Sequence, residues 1–150
     1  MKTKSLLDND TTQLILQLVE RFTKSWNEKN IDAFGECFTD NAEFTDVVGQ
    51  TAIGKEAIKE QHKFPFEVVM KNAIFEMDDL YIRSLTDKLI IISAKWKNEG
   101  SQTPKGDSLP TRNGVLQIIC EHLHNEWKIR LVHNSDNSLP YERQERFITT

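Results

Sequence analysis

The chain has 150 residues, of which 38% are hydrophobic and 28% are charged, and its formal net charge is −4. This length is typical of one domain, and the composition excludes a disordered or membrane-embedded chain. The acidic balance argues against nucleic-acid binding, which needs a basic face. Only Leu6 and Leu7 follow the early lysines. That run is too short for a secretory signal, so a cytoplasmic location is expected.

The N-terminal part of the sequence predicts a long amphipathic helix. Residues 1–10 are expected to be a frayed terminus, and Asp10 with Gln13 resembles a capping box at the helix start. One apolar stripe follows at helical spacing, formed by Leu14, Ile15, Leu18, Val19, Phe22 and Trp26. A stripe of this kind must pack against another apolar surface.

Two shorter helices and one strand are predicted next. Asn30 ends the first helix, and a short second helix carries Ile31, Phe34 and Phe38. Residues 39–41 have the composition of a turn. Residues 44–48 predict a strand that Gly49 closes. The third helix runs from Gly54 to about Pro65 and places Ile58, His62 and Phe66 on one line.

The second half of the chain shows the alternation of β-strands. Strands are predicted at residues 74–82 (bent or interrupted), 89–96, 115–123 and 127–133. Residues 98–110 form a polar loop. Because helices come first and strands last, the sequence predicts one α+β domain over residues 1–135, with three helices packed on a curved antiparallel sheet. Residues 136–150 are predicted to be a C-terminal tail, with docking contacts from Leu139, Tyr141 and Phe147.

Cysteine and histidine patterns give no metal or disulfide site. Cys37 and Cys120 are far apart and lack a CxxC pattern, so reduced, buried thiols are expected. His122 and His124 share one face of a strand at a spacing that can chelate zinc. A third ligand and supporting side chains are not evident, so solvated histidines are expected. The chain also lacks a Gly-rich phosphate loop, and no cofactor is predicted.

Three stretches of the chain together resemble a known family. They are FTKSWNEKNIDAFGECFTDNAEFTDVVGQ, IGKEAIKEQHKF and NGVLQIICEHLHNEWKIRLVHNS. Their order and spacing are similar to SnoaL-like domains of the nuclear transport factor 2-like superfamily, and are nearest the SgcJ/EcaC type. The resemblance covers roughly residues 12–135.

The resemblance implies a cystatin-like cone, frequent homodimers, and a pocket lined by the first strand, the third helix and the sheet. Characterised relatives include polyketide cyclases, steroid isomerases, epoxide hydrolases and scytalone-type dehydratases, and chemistry of this kind needs no cofactor. Many other members have no known activity, so the fold alone leaves the function open.

Asp46 and His62 are the first candidates for chemistry. If Phe44 points inward, strand alternation carries Asp46 inward as well. An inward Ile58 does the same for His62, which lies one helical turn later. A carboxylate and an imidazole would then share one cavity, as general acid–base catalysis requires. The alternative is structural: Asp46 braces the turn at Gly49, and His62 is a hydrogen-bonded core residue.

His133 is the third candidate, since it shares strand parity with Ile129 and Leu131 and is expected to face inward. The alternative is a buried histidine bonded to backbone. A two-residue turn at Asn125-Glu126 pairs Ile118 with His133, whereas a three-residue turn pairs Gln117 with His133. The second register is preferred because it buries Leu123, and it makes Gln117 a ligand-binding candidate.

The aromatic candidates for the pocket wall are Trp26, Phe44, Phe66 and Trp96, with plain core packing as the alternative. The leading functional hypothesis is a small-molecule pocket that transfers protons on a hydrophobic, oxygenated ligand, as an isomerase, cyclase or dehydratase does. The alternative is a non-catalytic ligand-binding or dimerisation module. A cavity smaller than about 300 Å³ would favour that alternative.

Overall fold

Helix α1 (Asn9–Asn27) packs on a curved, seven-stranded sheet in the computed structural model, which describes residues 1–137. The predicted docking residues of the tail therefore lie outside the described residues. The buried face of α1 has helical spacing and consists of Ile15, Leu18, Val19, Phe22, Ser25 and Trp26. Removing this apolar surface from water is the main force that holds α1 on the sheet.

Two shorter helices complete the helical layer. They are α2 (Ile31–Gly35) and α3 (Lys55–Phe64), and α3 continues into a π-helical turn at Pro65–Val69. Asn30 begins α2 instead of ending α1, because its side-chain oxygen accepts a hydrogen bond from Ala33 N. Gly54 precedes α3 as predicted.

The seven strands are β1 (Thr3–Ser5), β2 (Phe38–Thr45), β3 (Thr51–Ile53), β4 (Ile74–Thr86), β5 (Leu89–Glu99), β6 (Arg112–Leu123) and β7 (Glu126–Asp136). Their order in the sheet is β1-β4-β5-β6-β7-β2-β3. The pairs β1–β4 and β2–β7 are parallel and the other pairs are antiparallel. The predicted α+β class is confirmed, and the sheet is mixed where a purely antiparallel one was expected.

Three local predictions are wrong. The first residues are not all frayed, because β1 pairs in parallel with residues 80–82 of β4. Asp8 and not Asp10 caps α1: its carboxylate accepts a hydrogen bond from Thr11 N at 2.7 Å. Residues 39–41 lie inside β2 and do not form a turn.

The β6–β7 hairpin pairs Gln117 with His133, which is the preferred register, although its turn differs from the predicted one. Leu123 pairs with Glu126, so the turn has two residues, His124 and Asn125. Their φ angles of 52° and 63° are those of a type I′ turn. Leu123 is 39% exposed, so the expectation that it is buried is wrong.

A β-bulge in β7 compensates for the shorter turn, because it adds the residue that a three-residue turn would have supplied. Cys120 pairs with Ile129 and Ile119 pairs with Leu131, which leaves Arg130 as the extra residue of β7. A bulge of this kind reverses the inward and outward alternation beyond it. Val132 is therefore buried and His133 is exposed, against the prediction that His133 faces inward.

The two cysteines are free and buried, as predicted. Burial raises the pKa of the Cys37 thiol, and it raises the pKa of Cys120 to about 12. Within residues 1–137 no helix has the length and apolar character needed to cross a membrane.

The face reversal in β7 is testable by thiol labelling with a bulky maleimide at neutral pH. Buried thiols with a raised pKa react slowly, so the native protein should remain almost unlabelled. His133→Cys should label rapidly, whereas the adjacent Val132→Cys should be protected, as measured by mass spectrometry under native conditions. Faster labelling at position 132 than at position 133 would place the bulge elsewhere.

Candidate ligand pocket

One cavity of about 190 Å³ lies between α1, α3 and the sheet. Its apolar walls are Trp26, Phe44, Met70, Phe75 and Trp96. Six polar or charged side chains interrupt these walls: Asp46, Gln61, His62, Asn98, Arg112 and Asn134. An apolar cavity with a few converging polar groups is the usual form of a small-molecule site.

Asp46 follows the last residue of β2 and has two functions. Its Oδ1 accepts hydrogen bonds from the backbone of Val48 (3.1 Å) and Gln50 (2.9 Å), which holds the turn between β2 and β3. Its Oδ2 lies 3.5 Å from Gln61 Nε2. The structural alternative for Asp46 is therefore confirmed, and the same carboxylate also lines the cavity.

His62 is a buried imidazole on α3, and its Nδ1 lies 2.8 Å from the Ile58 carbonyl oxygen. A carbonyl can only accept, so Nδ1 carries the proton and Nε2 is left as an acceptor. The ring packs against Phe44 and Phe34 with centroid distances of 4.6 and 4.7 Å. Burial lowers the pKa of His62 to about 4, and the hydrogen bond and the charge of Asp46 offset this only in part.

Gln61 precedes His62 on α3 and also reaches the cavity. Its Nε2 faces three oxygens that can only accept: Gln50 O at 3.1 Å, Phe44 O at 3.4 Å and the carboxylate of Asp46. These neighbours fix the orientation of the amide. Gln61 Oε1 is buried and has no hydrogen-bond partner among the described residues.

The sheet supplies donors opposite this helix. Trp96 Nε1 donates a 2.7 Å hydrogen bond to Asn134 Oδ1. An indole N–H can only donate, so the Nδ2 group of Asn134, a residue of the cavity lining, is left as a donor. The register of the parallel β2–β7 pair, Thr45 opposite His133, places Asp46 and Asn134 on neighbouring strands.

Arg112 begins β6 and pairs with the buried carboxylate of Asp136 through its Nε (2.7 Å) and Nη2 atoms. Its Nη1 makes none of the hydrogen bonds described within residues 1–137. Asn98 lies beside Arg112 in the sheet register. The Asn98 amide donates only to the Met70 sulfur at 3.5 Å, and its Oδ1 is buried without a partner in the described part of the chain.

The cavity brings together five of the eight residues predicted for the site: Trp26, Phe44, Asp46, His62 and Trp96. Phe66 is buried but packs behind His62 and Trp26, with centroid distances of 5.6 and 5.7 Å, and does not line the cavity. His133 and Gln117 form a cross-strand pair on the outer face of the sheet, where both are exposed. The bulge at Arg130 is the reason, because it exchanges the faces of His133 and Asn134.

Four polar residues of the cavity were missed from the sequence: Gln61, Asn98, Arg112 and Asn134. Asn98 has the same strand parity as Trp96, so extending the alternation by two residues would have found it. Gln61 is three residues after Ile58, a spacing that shares a helix face. The position of Asn134 depends on a bulge that leaves no signal in the hydrophobic pattern. No group of three or more metal-binding side chains occurs within residues 1–137.

Helices packed on a curved sheet around a cavity with apolar and polar walls define the class of small α+β domains with a cystatin-like fold. The sequence comparison gives the family: residues 19–114 match the SnoaL-like domain, and the chain belongs to that family. The resemblance drawn from the three motifs is confirmed. A comparison with functionally curated proteins finds no match.

Solved structures share the fold over most of the chain. An uncharacterised protein with a cystatin-like fold from Caulobacter vibrioides is 20% identical, with a TM-score of 0.78 over 85% of this chain and 90% of that one. A ketosteroid isomerase-like protein from Erwinia carotovora atroseptica is 14% identical, with a TM-score of 0.76 over 88% and 100%. A type 2 hexachlorocyclohexane dehydrochlorinase is 14% identical, with a TM-score of 0.77 over 93% and 94%. Identities this low establish a shared fold alone.

The neutral His62 makes stability depend on pH. Its folded pKa of about 4 lies below the ordinary value of 6.5, so the unfolded chain takes up a proton between these pH values and the folded chain does not. The resulting contribution to the stability of the folded state is fully present above pH 6.5 and is lost as the pH falls to about 4. It amounts to about 3 kcal/mol of the free energy of unfolding.

His62→Phe should flatten the change in unfolding free energy between pH 7 and pH 4 by about that amount, as measured by urea unfolding. His133→Phe is the matched control, since it makes the same substitution at an exposed histidine. Equal profiles for the native protein and His62→Phe would show that burial does not lower the pKa of His62 in the folded state.

Proposed function

We propose that this protein binds a single-ring carbonyl compound and transfers a proton at the carbon next to the carbonyl, as an isomerase does. The observation that carries the proposal is that the Asp46 carboxylate and the donors of Asn134 and Arg112 line the same, mainly apolar cavity. A base beside hydrogen-bond donors is the arrangement that enolisation requires.

The size of the cavity limits the ligand. Its 190 Å³ is less than the roughly 300 Å³ of typical ligand sites. A cavity of about 150 Å³ is sufficient for benzene, so a single ring with small substituents fits this one. A steroid or a fused aromatic polyketide exceeds it.

The chemistry follows from the positions of the polar groups. The substrate's carbonyl oxygen accepts hydrogen bonds from Asn134 Nδ2 and Arg112, and the adjacent C–H faces Asp46. The Asp46 carboxylate takes the proton, and the bonding electrons move to the carbonyl oxygen, which becomes an enolate oxygen held by the same donors. In a substrate with a β,γ double bond, the protonated Asp46 then returns the proton to the γ-carbon. The double bond moves to the α,β position, where it is conjugated with the carbonyl group.

The surroundings favour this use of Asp46. Its Oδ1 is held by two backbone N–H groups, so the carboxylate is already oriented and Oδ2 is available to the substrate. Burial keeps the pKa of His62 at about 4, so the imidazole is neutral near pH 7 and adds no positive charge to the cavity. The fold is also that of proteins described as ketosteroid isomerase-like and as a hexachlorocyclohexane dehydrochlorinase.

The test uses 3-cyclohexenone, a single-ring β,γ-unsaturated ketone, and follows the ultraviolet absorbance of its conjugated isomer. Asp46→Asn should lower kcat by about 100-fold or more, since it removes the base. The asparagine keeps an oxygen for the two backbone hydrogen bonds, so the free energy of unfolding should change by less than about 1 kcal/mol. Asp40→Asn is the matched control, because Asp40 is an exposed aspartate of β2, the strand that Asp46 follows.

Two results would contradict this proposal. Equal isomerisation rates for the native protein and Asp46→Asn would remove the catalytic role of Asp46. Loss of folding in Asp46→Asn would show that the carboxylate serves only the turn between β2 and β3.

A steroid ketone with the same β,γ-unsaturation tests the size limit. We expect isomerisation of 3-cyclohexenone and no turnover of the steroid ketone, because only one ring fits the cavity. Both are measured by the same absorbance change at equal concentrations. Faster turnover of the steroid ketone would show that the cavity opens well beyond its present volume.

A second candidate is a non-catalytic binding module. The small cavity favours it, and so does the use of Asp46 Oδ1 in the turn. Saturable binding of 3-cyclohexenone without isomerisation is the result expected of this alternative. Homodimer formation, which the family resemblance implies, remains a prediction for either function.

A further inference from the structure

The wall of the pocket formed by α3 presents acceptors. Three acceptor oxygens surround Gln61 Nε2, and this arrangement leaves Oε1 of the same amide buried and unpaired within the described residues. His62 is the next residue, and its Nδ1–H is directed at the Ile58 carbonyl, so Nε2 has a free lone pair. An unpaired buried acceptor is costly, and few occur in folded proteins. This wall therefore suits a ligand group that donates.

The floor of the pocket, formed by β6 and β7, presents donors. Trp96 fixes the Asn134 amide so that its Nδ2 group faces the cavity, and Arg112 contributes N–H groups that its pairing with Asp136 does not use. Asn98 can present either its oxygen or its NH₂ group to the cavity. Its only side-chain partner within residues 1–137 is the thioether sulfur of Met70, which fixes the orientation of the amide weakly.

We infer that the pocket selects a single-ring compound that carries a hydroxyl group as well as a carbonyl group. The hydroxyl donates to Gln61 Oε1, the acceptor that is buried without a partner in the described part of the chain, and the carbonyl oxygen accepts from Asn134 Nδ2 and Arg112. This inference rests on the proposed carbonyl-binding function, and it adds the second functional group and the direction in which the ligand binds. A site of this kind rejects ligands that lack the donor, because its buried acceptors would remain unpaired.

The experiment compares ligands of nearly equal size by calorimetric titration of the native protein. The ligands are para- and meta-hydroxyacetophenone, acetophenone, which lacks the hydroxyl, and para-ethylphenol, which lacks the carbonyl. One of the two hydroxyacetophenones should bind about tenfold more tightly than acetophenone and than para-ethylphenol, because each missing hydrogen bond weakens binding by about this factor.

Two variants assign the two groups of the ligand. Gln61→Met removes the acceptor and should weaken hydroxyacetophenone about five- to tenfold while leaving acetophenone unchanged. Asn134→Asp keeps the oxygen that Trp96 needs and replaces the donor by an acceptor, so it should weaken both ketones and spare para-ethylphenol. The matched controls are Gln117→Met and Asn113→Asp, which change exposed residues of β6 and should leave every affinity unchanged.

The outcomes separate this inference from the proposed function. Equal binding of hydroxyacetophenone and acetophenone overturns the inference even if 3-cyclohexenone is isomerised. Selective binding that Gln61→Met abolishes supports the inference even if no isomerisation occurs. Absence of saturable binding for all four ligands overturns it as well, and so does selectivity that survives in Gln61→Met.

Discussion

The bulge at Arg130 decides which side chains of β7 face the pocket. Before it, Ile129 is buried; beyond it, the buried positions are Val132 and Asp136, and Asn134 lies on the same face. β2 departs from regular pairing at the same level, and Arg130 Nη1 donates a 2.9 Å hydrogen bond to the Asn41 carbonyl there. One side chain thus links the irregular parts of two neighbouring strands, and Asn134 faces inward as a result.

The parallel pairing of β2 with β7 adds the second constraint. Because Thr45 lies opposite His133, Asp46 follows the end of β2 beside the strand that carries Asn134, and both residues line the cavity. The strand register therefore brings a carboxylate and an amide donor to the same cavity. Neither group depends on a mobile loop for its orientation, since backbone N–H groups hold Asp46 and an indole holds Asn134. Preorganisation of this kind is what electrostatic catalysis requires.

How much was predictable follows from where the chain is regular. Phe44 and Asp46 lie at the regular end of β2, and Ile58 and His62 lie one turn apart on α3, so alternation and helical period placed both candidates correctly. Beyond Arg130 the same rule failed for His133, and Gln117 failed with it because the two residues are paired. Hydrophobic residues occur on both sides of the bulge, as they do in a regular strand. The hydrophobic pattern of β7 therefore does not indicate a bulge.

Other misses have different physical causes. β1 is polar and only three residues long, and it is held by backbone pairing with β4, which has no signature in side-chain hydrophobicity. Arg112 fell just outside the predicted strand because Pro110 precedes it closely, and tertiary pairing with Asp136 extends β6 back to that point. Phe66 has the predicted spacing on the third helix, but Pro65 begins a π-helical turn that directs Phe66 behind His62.

Under the proposed function, the two surfaces of the pocket place different demands on the ligand. The base and the donors come from β2, β6 and β7, whose relative positions are set by the sheet register, so that part of the site follows from the fold. The acceptors come from Gln61 and His62, consecutive residues of α3 that lie about 100° apart around the helix axis. Both reach the cavity because α3 borders it along a broad face. Under the proposed function, the sheet therefore positions the groups that react with the ligand, and the helix supplies the acceptors that select it.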